Sequence, residues 1–369
     1  MKLMKTTEAV GQVLCHDITQ IIPGVKKDAV FRKGHIITKE DIPVLLSVGK
    51  DTIYIWENDE TMMHENEAAE MLYRMSACGT NSNETDVEHH CEAAESGIFG
   101  GTASKMHPSP VKEGKIEVIA DCDGLLNVDS EKLKKVNSFG EMMIATRHGN
   151  TTVKKGDKLA GTRIIPLVIK KDKLKEASNI CEDGPILDIK PFVVRKAAII
   201  TTGNEVFHGR IQDAFTPVIE KKIAEFGAHM MFHEVFDDDD QKITDGCLRA
   251  IEAGAEIVFC TGGMSVDPDD KTPLAIKNTG ARIVSYGSPV LPGAMFLLSY
   301  YDAGDRLVPI CGLPGCAMYN KRTIFDIVLP RLMARDMIYA DELAGLGEGG
   351  LCLNCDVCTF PNCGFGKGF

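Results

Sequence analysis

From Phe192 onward the chain alternates strand-like and helix-like stretches, and no other feature restricts its fold as tightly. Residues 193–202 read as a strand, and Pro217 opens a helix that runs to Phe226 and is closed by Gly227. A strand over 229–236, a helix over 241–253 closed by Gly254, and a strand over 256–260 follow. A short helix starts near Thr272-Pro273, with Gly280 past its end. Further strands run to Ile310, and a long helix over 316–334 finishes the pattern. Proline just inside a helix start and glycine just past its end suit the backbone needs of those positions. The alternation predicts an α/β domain with a mostly parallel sheet covered on both faces.

The preceding half reads differently, as a β-rich α+β region. In the first sixty residues Thr38 caps a helix whose apolar face is Ile42, Leu45 and Leu46, with Gly49 closing it and a strand over 52–56. A helix over 65–78 carries Ala68, Ala69, Leu72 and Met75 at helical spacing. Residues 79–110, rich in Gly, Ser, Asn, Glu and His, read as a linker. His89-His90-Cys91 within it reads as solvated loop, because adjacent residues seldom share one metal with good geometry. Strands are expected over 115–119 and 141–146, with Asp129 capping a short helix between them. A hairpin turn over 153–160 leads into a strand over 164–169. The predicted division is 1–110, 111–191, 192–340 and a tail, 341–369.

A net charge of −12 and a pI of about 5.4 argue against a nucleic-acid partner. The N-terminus has no signal-peptide core, and the apolar run 294–301 is too short to span a bilayer, so no membrane role and a cytoplasmic location are expected. Most of the 13 cysteines fall inside strands and helices, where cysteine behaves as a small hydrophobe.

In an open α/β sheet, ligands bind beyond the carboxyl ends of the strands. Three strands bring small-residue loops to that edge: Thr201-Thr-Gly-Asn-Glu205, Thr261-Gly-Gly-Met-Ser265 and Gly312-Leu-Pro-Gly315. Glycine permits close backbone approach, hydroxyls donate hydrogen bonds, and helix starts hold phosphates. Asp267, Asp269 and Asp270 follow the second loop, either as helix caps or as ligands that hold Mg²⁺ against a phosphorylated substrate. The run Asp237–Asp240 reads as a solvated helix start.

These three loops, with Asp270, resemble in order and spacing the motifs of the molybdopterin-binding domain family of MoeA- and MogA-type proteins, across roughly 140 residues. Asp270-Lys-Thr-Pro273 is closer to the MogA form and Gly262-Gly-Met-Ser-Val266 to the MoeA form. The whole chain also resembles bacterial molybdopterin-binding proteins with a cysteine-rich tail. The resemblance implies a three-layer domain that binds molybdopterin at Thr201, Thr202, Gly203, Asn204, Gly262, Gly263, Ser265, Thr272, Leu313, Pro314 and Gly315. It further implies Asp270 at a metal, Glu205 at an acidic position of the first loop, and a homo-oligomer; Asp270 and Glu205 are the expected catalytic carboxylates, and the carboxylate cluster adds Asp267 to Asp270 as an expected metal ligand. Three departures stand out: Leu291-Pro-Gly-Ala-Met295 lacks the family's lysine, Cys316-Ala317 replaces Asn-Pro, and the Asp-Gly-Tyr-Ala signature of MoeA is missing.

The tail places Cys352, Cys355, Cys358 and Cys363 within twelve residues, a set suited to zinc or an iron–sulfur cluster. Three functions are therefore expected. The leading one is an enzyme of molybdenum cofactor assembly, inserting molybdate or adenylylating the pterin. The second is a carrier that delivers cofactor to a molybdoenzyme, and the third an iron–sulfur or zinc sensor or redox module.

Overall fold

The structure is a computed structural model describing residues 2–22, 26–55, 59–79, 105–265, 267 and 270–368. His89-His90-Cys91, most of the expected linker, and Asp269 lie outside the described residues. The chain divides into two compact units: 1–121 with 128–147 and 155–188, and 122–127 with 148–154 and 189–369.

In the first unit Lys2–Lys5 pairs antiparallel with Thr52–Ile55, and Leu14, Ile37, Leu45 and Ile53 fill a core beside the helix Asp41–Ser47. The capping role expected of Thr38 is reversed: the Asp41 carboxylate accepts from the Thr38 N–H at 2.8 Å and its hydroxyl at 2.9 Å. The helix Glu65–Ala77 buries Ala68, Ala69, Leu72 and Met75, as their spacing predicts. It packs on Lys115–Ala120 and Lys158–Ile164, two strands of a four-stranded sheet, so residues on either side of the expected boundary at 110 share one unit. Asp129 caps Ser130–Ser138 through the Lys132 N–H at 2.9 Å. Residues 153–160 do not form a hairpin. Thr151–Val153 pairs with Gly124–Val128 in the second unit, whereas Lys158–Ile164 pairs with Lys115–Ala120 and Met142–Thr146 in the first. Distant ladders, not the local turn, choose the partners. The strand expected over 164–169 stops at Ile164, where Pro166 lacks the N–H a ladder needs.

The second unit holds the α/β domain. Its sheet strands are β1 (Lys196–Thr202), β2 (His229–Phe236), β3 (Ile257–Thr261), β4 (Arg282–Tyr286), β5 (Leu297–Asp302) and β6 (Leu307–Leu313). They lie in the order β2-β1-β3-β6-β5-β4; the first four are parallel, β5 runs antiparallel to β6, and β4 runs antiparallel to β5. Helices α1 (Asn204–Phe207), α2 (Phe215–Ala224), α3 (Asp240–Glu252), α4 (Thr272–Asn278), α5 (Ile324–Met333) and α6 (Ala340–Gly345) complete it.

Side-chain parity along each strand builds three layers. Ala197, Ile199, Ile257, Phe259, Cys311 and Leu313 face Ile219 and Ile223 of α2 and Phe325, Val328 and Leu329 of α5. Ala198, Ile200, Val258, Cys260 and Ile310 face Ile243, Cys247 and Ala250 of α3 and Ala275 and Ile276 of α4. A strand buried on both sides must be apolar at odd and even positions alike, which is why β1 reads Ala-Ala-Ile-Ile.

The long helix expected over 316–334 is broken. A turn of 3-10 helix spans Gly315–Ala317, and α5 begins afresh at a capping box in which Thr323 accepts from the Phe325 N–H and Asp326 accepts from the Thr323 N–H. The tail is docked on this unit, with Phe365 only 5% exposed. Cys247, Cys260 and Cys311 are buried free thiols inside α3, β3 and β6, as expected of cysteine within secondary structure, whereas Cys15 and Cys181 are buried outside any helix or strand. Among the described residues, no helix is long and apolar enough to cross a membrane.

Candidate functional site

Parallel register brings the three expected loops to one sheet edge. Thr201 stands beside Thr261, and Thr261 beside Leu313, so β1, β3 and β6 end level with one another. Beyond β3 and β6 opens a cleft of about 640 Å³. Gly262, Gly263, Met264, Ser265 and Asp270 form one side, Leu313, Pro314, Gly315 and Cys316 another. Residues 291–295, the turn that lacks a lysine, form a third, and Phe215, Tyr319 and Asn320 complete the lining.

Seven of the residues expected from the sequence therefore meet at the cleft: Gly262, Gly263, Ser265, Asp270, Leu313, Pro314 and Gly315. Thr201, Thr202, Gly203, Asn204, Glu205, Asp267 and Thr272 are not among its lining. Thr202, 4% exposed, places its hydroxyl 3.1 Å from the Thr261 carbonyl and 3.1 Å from the Thr272 hydroxyl. Thr272 in turn donates to the Gly262 carbonyl at 2.9 Å. These two threonines tie the first two loops together from behind. The Gly203 N–H donates to the Phe236 carbonyl, the Asn204 N–H donates to Asp238, and Glu205 is exposed on the short helix α1.

The glycines divide by role. A Cβ on Gly262, at φ +82°, would lie 2.1 Å from the Thr202 carbonyl oxygen. One on Gly263 would lie 2.9 Å from the Thr272 hydroxyl. Both glycines allow the loops to pack. Gly315 differs: its backbone is unstrained and a Cβ there would meet nothing within 4 Å, because it faces the open cleft.

Asp270 is the sole charged side chain among the cleft's described lining, and no Lys or Arg is present there. Its N–H donates to the Asp267 carbonyl at 3.0 Å, and the Asp267 N–H donates back to its carboxylate at 3.3 Å. Tyr286 donates to the Met264 carbonyl at 3.4 Å; burial, then the Asp270 carboxylate, push its hydroxyl pKa up. An anionic ligand here would meet a carboxylate rather than a cation. Hard divalent ions relieve that repulsion by sharing one or two carboxylates with substrate phosphates, and Asp270 with the Ser265 hydroxyl gives the oxygen donors such an ion takes. Among the described residues no three His, Cys, Asp or Glu side chains stand within reach of one metal, so this would be a site completed by ligand and water.

A polar cluster behind the first loop was missed by the sequence reading. Asp213 accepts from the Thr216 hydroxyl at 2.6 Å, the Thr201 hydroxyl at 3.0 Å and the N–H groups of Phe215 and Thr216. His233 Nε2 lies 3.1 Å from the Thr201 hydroxyl. Burial would raise the Asp213 pKa, but these donors outweigh it and hold the carboxyl below its usual value. Only its position just before a helix start hinted at the role.

Residues 198–334 match the family described as "Probable molybdopterin binding domain", and residues 3–57 match a domain family of unknown function. Over 131 residues the chain is 26% identical to the molybdopterin adenylyltransferase of Pyrococcus furiosus, covering 32% of this chain and 77% of that one. Over 90 residues it is 29% identical to a competence-damage inducible protein of Bacillus velezensis, covering 24% of this chain and 21% of that one. The chain thus spans about a fifth of the length of that relative. Among solved structures, the tungsten cofactor synthesizing protein MoaB of Pyrococcus furiosus is 18% identical, with 38% of this chain and 89% of that chain covered at a TM-score of 0.30. The molybdopterin biosynthesis Mog protein of Mycobacterium ulcerans is also 18% identical, with 41% and 99% covered at a TM-score of 0.30.

Proposed function

We propose, from the match of residues 198–334 to a molybdopterin-binding domain family, that the chain binds molybdopterin in the cleft beyond β3 and β6 and acts in molybdenum cofactor assembly. The observation that carries this reading is the convergence of 262–265, 291–295 and 313–316 on one cleft at the carboxyl edge of a parallel sheet. Its volume is in the range that holds a small organic ligand. Leu291, Pro292, Met295, Leu313 and Pro314 give it apolar walls for a flat ring, while Ser265, Asn320 and Tyr319 bring hydrogen-bonding groups to its lining.

Asp270 and Ser265 are the residues that would hold Mg²⁺ beside the ligand's phosphate, and the ion would supply charge neutralisation there. The chain's own contribution is placement. Gly315 leaves room for the ligand, and Thr202 and Thr272 fix the backbone of 262–263 from behind. With no covalent nucleophile invoked, transfer chemistry at this cleft would rest on positioning and electrostatics.

A second reading, a carrier that holds the cofactor without turnover, is favoured by one feature: among the described residues no Lys or Arg lines the cleft to stabilise a transferring oxyanion. Titration of the wild-type chain with molybdopterin tests the shared premise. We expect binding, weakened at least tenfold in Asp270→Ala when Mg²⁺ is present. Absence of binding by the wild type to any form of the pterin overturns the premise. Turnover with ATP or molybdate selects the enzyme over the carrier.

A further inference from the structure

Between Gly349 and Gly368 the chain makes no helix, and its one ladder contact is a bridge between Leu351 and Leu291. The segment is nevertheless anchored at both ends. The Leu291 N–H donates to the Gly350 carbonyl and the Cys352 N–H to the Leu291 carbonyl, each at 2.8 Å. At the far end Phe365 enters the core beside α5, and the Gly366 N–H donates to the Gly349 carbonyl at 3.0 Å. Between these anchors residues 353–359 are all exposed, with Leu353 and Val357 each at 78%. Short segments without a core of their own hold one shape when a disulfide or a metal cross-links them.

The chemistry for a cross-link is gathered at this loop. Cys352, Cys355, Cys358 and Cys363 all line one cavity of about 230 Å³, with Lys321, Arg322, Phe360 and Phe365. Two of the thiols, Cys355 and Cys358, lie on exposed side chains. As they stand, no three of the four are within reach of one metal position. Cations border the cavity. Lys321 donates to the carbonyls of Cys355 at 3.3 Å and Asp356 at 3.1 Å, and the Arg322 guanidinium lies 5.0 Å from the centre of the Phe360 ring. Cationic neighbours of this kind stabilise thiolate, the form that ligates metal.

We propose that the four cysteines close on one thiophilic metal centre, a zinc ion or an iron–sulfur cluster, which pins residues 352–363 against the α/β unit. On zinc binding each ligating thiol gives its proton to solvent as its sulfur–metal bond forms, with no change of oxidation state. Four thiolates around either centre leave a net negative charge that Lys321 and Arg322 are placed to offset. The inference does not depend on the pterin reading, and metal content and pterin affinity are separate measurements.

The full chain, purified anaerobically under reduction, is assayed for bound metal and then titrated with Co²⁺ as a spectroscopic stand-in for zinc. We expect either stoichiometric zinc, with thiolate-to-cobalt charge transfer on replacement, or the visible absorption of an iron–sulfur cluster. Cys355→Ser combined with Cys358→Ser should abolish the signal while far-UV circular dichroism is kept, because both side chains are exposed. A reduced wild-type chain that takes up neither zinc, cobalt nor a reconstituted cluster overturns the proposal, as does undiminished metal in the double variant. If the variant misfolds, the wild-type cobalt spectrum decides alone: tetrathiolate bands support the centre, and their absence with no cluster formed removes it.

Discussion

Gly262 and Gly315 occupy similar glycine-rich loops, yet only one is replaceable. At Gly262 any Cβ collides with a carbonyl that cannot move. At Gly315 the added group projects into open space that the proposal assigns to the ligand. Gly315→Val should therefore leave the melting temperature within about 2 °C of wild type, since its stability cost is within roughly 0.5 kcal/mol. It should weaken pterin binding at least tenfold. Unchanged affinity in the folded variant would move the ligand out of this cleft. Asp213 belongs to the same scale. Its folded pKa lies below the ordinary 3.8, so its contribution is fully present above that value and is lost as pH falls through the depressed folded one. Asp213→Asn should cost roughly 1.5–3 kcal/mol at neutral pH, and the difference from wild type should shrink below about pH 4. Acid titrations of both proteins followed by circular dichroism read this directly; a difference that grows in acid contradicts the assignment.

Among the elements, α2 and α5 share one face of the sheet and are tied by a single carboxylate. Asp326, whose side chain is 3% exposed, meets Lys222 of α2, accepts from Arg322 at 2.8 Å and closes the capping box with Thr323. Removing it leaves a largely buried ammonium without a counter-charge and opens the helix cap. Asp326→Ala should lose about 3–5 kcal/mol in a urea melt; a loss under 1 kcal/mol would mean the tie is solvated. The sequence shows Thr323 and Asp326 at cap spacing inside the stretch 316–334 expected as one helix, and the turn after Gly315, which lines the cleft, is decided only in three dimensions.

For the whole molecule, segments 122–127 and 148–154 belong with residues 189–369 although they are distant from them in the chain. Leu125 and Leu126 are fully buried, and a Cβ on Gly124 would lie 2.5 Å from the Ile189 side chain. A fragment of 189–369 should therefore melt lower than the same residues in the intact chain, as seen by calorimetry. An equal melting temperature would show that the two segments contribute nothing to it. Such a division is illegible in the sequence, because only long-range pairing assigns 122–127 and 148–154 to their unit.

What the sequence by itself determined is the α/β domain, its three layers and the edge at which its loops gather. Strand–helix alternation, helix period and the glycines at helix ends are local signals, and apolar residues at both odd and even positions of Ala197–Ile200 announce a strand covered on both faces. Tertiary structure alone decided which loop residues look into the cleft and which look away. Thr202 and Thr272 meet across 70 positions, Thr201 and His233 across 32, and residues 291–295 stand opposite 262–265 with no periodicity to announce it. A hydroxyl in a loop satisfies its hydrogen bonds with ligand or with protein equally well, and only the positions of distant neighbours settle which it does.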